Sequence, residues 1–143
     1  MSRFAGPGES PGFVLWHATM RWQRLMTSTL APLGLTHVQF VLLATAWWLQ
    51  THDEPQTQVR LAAQVGTEVT MTSDVVGRLE AKGLVVRVAH PTDARAKVVT
   101  VTDEGAALAA RAIEAVEAAD AQFFAGVDTR ALLPALTTLA ALR

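Results

Sequence analysis

The chain has 143 residues, half of them apolar and 17% charged, a length that fits one domain of roughly 100–200 residues. That composition excludes a disordered polymer, which needs low hydrophobicity and high net charge, and it suits an isolated monomer poorly, because few charges remain to cover a small particle's large surface. Twelve basic against thirteen acidic residues leave a net charge of −1 and no global mark of a nucleic-acid binder, and the lack of cysteine excludes disulfides, zinc ribbons, thiol nucleophiles and cysteine redox sensing.

Residues 1–12 hold three glycines and two prolines and read as a flexible tail without the apolar stretch of a signal peptide. From Phe13 to about Ala31, the residues Phe13, Leu15, Trp16, Met20 and Leu25 among Arg21, Gln23 and Arg24 predict a helix. Pro32 and Gly34 break it. Thr36 and Gln39 then fit a capping box, which opens a helix to about Leu49 that is apolar nearly all round and so central to the core. The stretch Val38 to Leu49 is twelve residues long, short of the roughly 20 that a membrane helix needs. A cytoplasmic, nucleoid-associated protein with no membrane contact is expected.

A short helix is predicted from Gln56 to Val65, a turn at Gly66-Thr67, and a second helix from Val69 to Ala81 ended by Gly83. This is a helix-turn-helix pattern. Leu84 to Val88 and Lys97 to Val101 read as strands joined by the polar loop His90–Ala96, which together make a wing. Thr102 caps a long alanine-rich helix to about Ala125, with Ile113, Val116, Asp120, Phe123 and Val127 along one stripe. Asp128-Thr129 opens a last helix carrying Leu132, Leu133, Leu136, Leu139 and Leu142. These apolar stripes exceed what a small winged helix can cover, so a homodimer is expected.

The fold class expected is mainly α with a small β wing. A tail at 1–12 precedes one domain at 13–143. Within it, a winged helix-turn-helix at 35–102 is flanked by dimerisation helices at 13–33 and 103–143. Residues 57–102 carry six basic and four acidic side chains, whereas 103–143 carry three and six. Near-neutrality thus hides a mildly basic centre, as phosphate contact requires.

The stretches Gly34-Leu35-Thr36-His37-Val38-Gln39-Phe40, Leu61-Ala62-Ala63-Gln64-Val65-Gly66, Arg78-Leu79-Glu80-Ala81-Lys82-Gly83-Leu84-Val85 and Asp93-Ala94-Arg95-Ala96-Lys97 resemble the MarR family of bacterial transcriptional regulators. Val101-Thr102-Asp103-Glu104-Gly105 is similar to that family's approach to its long dimerisation helix. The resemblance covers about residues 13 to 143. It implies a homodimeric winged-helix repressor that binds double-stranded DNA at a pseudo-palindromic operator, released by a small aromatic or acidic effector. No cofactor or metal is implied.

Position assigns the remaining roles. Thr70, Thr72 and Ser73, at the start of the second helix-turn-helix element, are expected to reach phosphates or base edges, and Arg78 to grip phosphate. Asp74 departs from the family's basic or polar residue there; it either accepts from a cytosine amino group or opposes Arg78. Gly77 either lets the backbone approach DNA or reflects loose selection, at about 1 kcal/mol against alanine in a helix. Arg95 at the wing suits a narrow minor groove, while the resemblance implies that Asp93 braces the wing. Arg87, His90 and Lys97 are supporting phosphate contacts. Trp16, His17, Met20 and Trp47 either line an effector cleft or are ordinary core residues. Asp120 needs a partner if buried, from His17, Arg21 or Arg24, or else faces solvent.

An enzyme is disfavoured, because the four histidines are scattered and no phosphate loop, nucleophile elbow or carboxylate constellation appears. A winged helix used only for protein–protein contact stands as the alternative.

Overall fold

A computed structural model describes residues 2–142. A single 3-10 turn at Pro7–Glu9 leads into helix α1, Pro11–Leu30. Ser10 accepts the Phe13 N–H, and Pro11 takes the first helical position, where no N–H is needed. The helix therefore begins inside the segment expected as a tail, two residues before Phe13. A second 3-10 turn, Ala31–Leu33, leads to α2, His37–His52. Both halves of the capping box form: Thr36 Oγ1 accepts the Gln39 N–H at 3.2 Å, and Gln39 Oε1 accepts the Thr36 N–H at 3.1 Å.

Helices α3, Gln58–Val65, and α4, Val69–Ala81, follow around Gly66, whose φ of 83° closes the turn in a conformation that favours glycine. Strands β1, Val85–Ala89, and β2, Lys97–Val101, pair antiparallel with Val85 opposite Val101 and Ala89 opposite Lys97. Thr57, rather than Gln56, caps α3, because Gln56 and Thr57 join the wing instead: Gln56 O accepts the Val99 N–H at 2.9 Å, and Thr57 bridges to Val98.

Thr102 caps α5, Asp103–Phe123. A side chain at Gly105 would overlap the Leu84 carbonyl, so glycine lets α5 rise directly against the foot of the wing. Helix α5 stops short of Ala125. Val127 thus lies beyond it and is exposed, and the buried face consists of Ala109, Ala112 and Val116. Helix α6, Thr129–Ala140, completes the chain.

The core forms around α2, which packs on α1, α3, α4, α5 and β2. Its fully buried Leu42 and Leu43 each contribute about 1.5–3 kcal/mol. They meet Met26, Leu30, Leu61, Val76, Leu79 and Val99. The apolar Val38–Leu49 stretch is thereby a core element. No single helix among the described residues is long and apolar enough to cross a membrane; α1 and α2 reach that content only as a pair bent by 73°.

Two faces have no cover among the described residues. Helix α6 buries none of its residues, with Leu133 66% and Leu139 73% exposed, and the first turns of α1 leave Phe13, Val14, Leu15 and Trp16 exposed.

Candidate nucleic-acid interface

The face of α4 that turns away from the core is set by the helical period. Val75, Val76 and Leu79 point inward, and Thr70, Asp74 and Arg78, four residues apart, lie on the exposed stripe. Thr72 belongs to the inward set, contrary to its expected part in DNA contact. It is fully buried, its hydroxyl 2.7 Å from the Glu68 carbonyl and 2.6 Å from the Thr67 hydroxyl, and it ties the first turn of α4 to the preceding loop. Ser73 is half-buried and its oxygens are turned toward Arg87.

Arg87 is likewise withdrawn from the role of phosphate contact. Its guanidinium lies against α4, 3.3 Å from Glu80 in the one ion pair among the described residues. It also bonds Gln58 and Ser73 at 3.4 Å. The Arg87 backbone N–H, and then its charged side chain, hold the Glu80 carboxyl below the usual carboxylate range. This arrangement accounts for Gly77, where a Cβ would stand 3.2 Å from Arg87 Nη2.

Asp74 is exposed and unpaired with Arg78, and the Arg95 side chain is exposed and unpaired with Asp93, among the described residues.

The wing tip is an ordered turn. Asp93 Oδ1 accepts the Arg95 N–H at 3.1 Å, and the Asp93 carbonyl accepts the Ala96 N–H at 3.0 Å. Asp93 therefore braces the loop, and Arg95 projects from it. His90, expected at phosphate, is a second brace: its Nδ1 accepts the N–H groups of Thr92 and Asp93, both at 3.2 Å. Arg95 and exposed Lys97 line a groove of about 480 Å³ between the wing and the N-terminal ends of α3 and α4, shared with Gln58, Val59 and Val69.

A second cleft, of about 390 Å³, lies between α1, α2 and the α3–α4 turn and is lined by Gln23, Thr27, His37, Val38, Val41, Val65 and Thr67. None of Trp16, His17, Met20 and Trp47 lines it. Trp16 is 60% exposed, His17 meets Phe13 edge-on, Met20 borders a shallow groove along α1, and Trp47 packs on the core. The tryptophan at this junction is Trp22. Its Nε1 donates to Asp120 Oδ1 at 2.8 Å, and its ring meets His37 edge-on at 5.0 Å. Asp120 thus finds neither His17, Arg21 nor Arg24 but an indole, a donor that charge counting does not reveal. Burial lowers the His37 pKa, with Asp120 opposing.

The family profile of MarR matches residues 35–97, from the corner before α2 to the start of β2. An uncharacterized HTH-type transcriptional regulator of Bacillus subtilis (strain 168), YdcH, is 44% identical over 124 residues, which cover 87% of this chain and 84% of the relative. The structure of CouR from Rhodococcus jostii RHA1 bound to p-coumaroyl-CoA matches with a TM-score of 0.83 at 26% identity, over 97% of this chain and 95% of that one. The transcriptional repressor CouR bound to a 23-mer DNA duplex matches with a TM-score of 0.82 at 25% identity, over 99% and 98%.

Proposed function

The chain belongs to the MarR family of transcriptional regulators, and on that premise we propose that it acts in the cytoplasm as a homodimeric repressor of a pseudo-palindromic operator, released by a small aromatic or acidic ligand. The observation that carries this reading is the exposed Thr70–Asp74–Arg78 stripe standing beside a braced wing that presents Arg95 and Lys97. A helix of this kind enters the major groove while a wing arginine reaches an adjacent minor groove. Thr70 and Asp74 then meet base edges, Arg78 and Lys97 meet phosphates, and Thr72, Ser73, Arg87, His90 and Asp93 hold those residues in place.

Dimerisation supplies the cover that α6 and the first turns of α1 lack. Their exposed leucines and aromatics are a large apolar surface for a small monomer, and a two-fold pair sets two reading heads about one helical turn of DNA apart. For the effector, His37 at the rim of the α1–α2 cleft is a proton-dependent partner for an acid. A site built from Trp16, His17, Met20 and Trp47 draws on exposed α1 residues and so needs the second copy. CouR, which holds a duplex in one structure and an aromatic thioester in another, supports both arms.

Selection of duplexes from a random-sequence pool tests the reading. The wild-type protein enriches an inverted-repeat sequence and binds it as a dimer with steep salt dependence. Failure to enrich any sequence supports the protein–protein module instead.

A further inference from the structure

Arg87 projects from the middle of β1, opposite Val99, and its guanidinium joins three elements. Nη1 donates to Gln58 Oε1 on α3 and to the carbonyl and hydroxyl oxygens of Ser73 on α4, each at 3.4 Å. Nη2 donates to Glu80 Oε1 at 3.3 Å, and the Arg87 backbone N–H donates to Glu80 Oε2 at 3.0 Å. Glu80 is therefore gripped by both the main chain and the side chain of one residue. Gly77 leaves the space in which the guanidinium lies.

The wing needs such a tie. A two-stranded hairpin is marginal by itself, and its foot is secured by Gln50, whose side-chain amide exchanges bonds with the Val101 N–H and carbonyl at 2.8 and 3.2 Å. Arg87 is the corresponding anchor halfway up, on the side facing α4. A reader that inserts a helix and a wing into neighbouring grooves succeeds only if their relative angle is held.

We propose that the Arg87–Glu80 pair is a positioning clamp that fixes the wing against the recognition helix and so sets operator specificity without touching DNA. This rests on the DNA-binding reading above. The pair predicts a sign opposite to simple electrostatics. Glu80→Gln removes a negative charge near the interface, which by charge alone strengthens DNA binding; loss of the clamp weakens it. Arg87→Lys keeps the charge but loses the planar fork that serves several acceptors at once.

The test compares binding to the duplex that the wild-type protein selects from a random pool with binding to a scrambled duplex of equal length, alongside thermal melting. Glu80→Gln and Arg87→Lys should lose about five- to tenfold affinity for the selected duplex while staying within about twofold on the scrambled one, so that the specificity ratio falls. Equal or tighter binding of the selected duplex by Glu80→Gln overturns the clamp, and so does a uniform loss on both duplexes by Arg87→Lys, the mark of a phosphate ligand. Should melting show either variant unfolded, Gly77→Val keeps both partners and crowds the guanidinium, which lies 3.2 Å from where a Cβ would stand; an unchanged ratio in that variant overturns the proposal. A wild-type protein that enriches no sequence overturns the DNA-binding reading and the clamp together.

Discussion

Replacing Arg95 by alanine tests the interface most directly, because the structure fixes how much charge is available. On the groove side, the side chains of Arg78, Arg95 and Lys97 are exposed and carry no hydrogen bond or ion pair among the described residues. Arg87 is engaged by Glu80, and Lys82 by the Gly34 carbonyl and Gln39. Counting these three cations per protomer, six for the proposed dimer, log K against log salt should run with a slope of about −5.4. Arg95→Ala leaves four and should bring the slope to about −3.6. Between 50 and 200 mM salt, the affinity of the wild-type protein then falls by about 1,800-fold and that of the variant by about 150-fold. Affinity at low salt should drop at least about tenfold, with the preference for A·T-rich sequence under the wing flattened. Fluorescence anisotropy on a labelled duplex across a salt series reads both quantities. An unchanged slope would refute the assignment of Arg95 to DNA, whatever happened to affinity.

Three further outcomes follow from the packing. Thr72→Val should lower stability by about 1 kcal/mol, about 2–4 °C in melting temperature, and leave the selected sequence unchanged; a changed sequence preference with intact stability would return Thr72 to the reading surface. Leu133→Asp combined with Leu139→Asp should convert a dimer into a monomer in analytical ultracentrifugation at micromolar concentration, and a persistent dimer would place the interface elsewhere. Burial lowers the His37 pKa below its ordinary 6.5, so the unfolded chain takes up this proton first. The associated stability is full above pH 6.5 and is lost as pH falls from there toward the folded value; His37→Asn should flatten that part of the stability profile, and an unaltered profile would argue against it.

Local chemistry made much of the molecule legible in advance. The Thr36–Gln39 capping box, the Thr102 cap and the turn at Gly66 are fixed by residues a few positions apart, and each forms as the sequence implies. The all-round apolar character of α2 likewise announced a central helix. What the sequence hid is long-range. Arg87 and Glu80 lie seven residues apart on different elements, and no periodicity says that an arginine counted as basic charge is spent within the chain. Thr72 looked like its neighbours Thr70 and Ser73 by composition, yet the helical period turns it inward beside Val76 and Leu79. Gln56 and Thr57 read as the start of a helix, while pairing with β2 takes them into the wing. The clustering of Trp22, His37 and Asp120 depends on how three helices cross.

The bond from Trp22 to Asp120 spans 98 residues of chain and has a temporal side. At roughly 5–20 residues per second on the ribosome, α1 is complete roughly 5–20 s before α5 has been made. During that interval, the segment from α2 to the wing can form its own local contacts as it emerges. The nascent α1 can lay Met26 and Leu30 on α2, but its Trp22 face waits for α5. The winged core is therefore placed to fold first during synthesis. Helix α5 closes on α1 last, which leaves that face of α1 open longest to chaperones and to premature association.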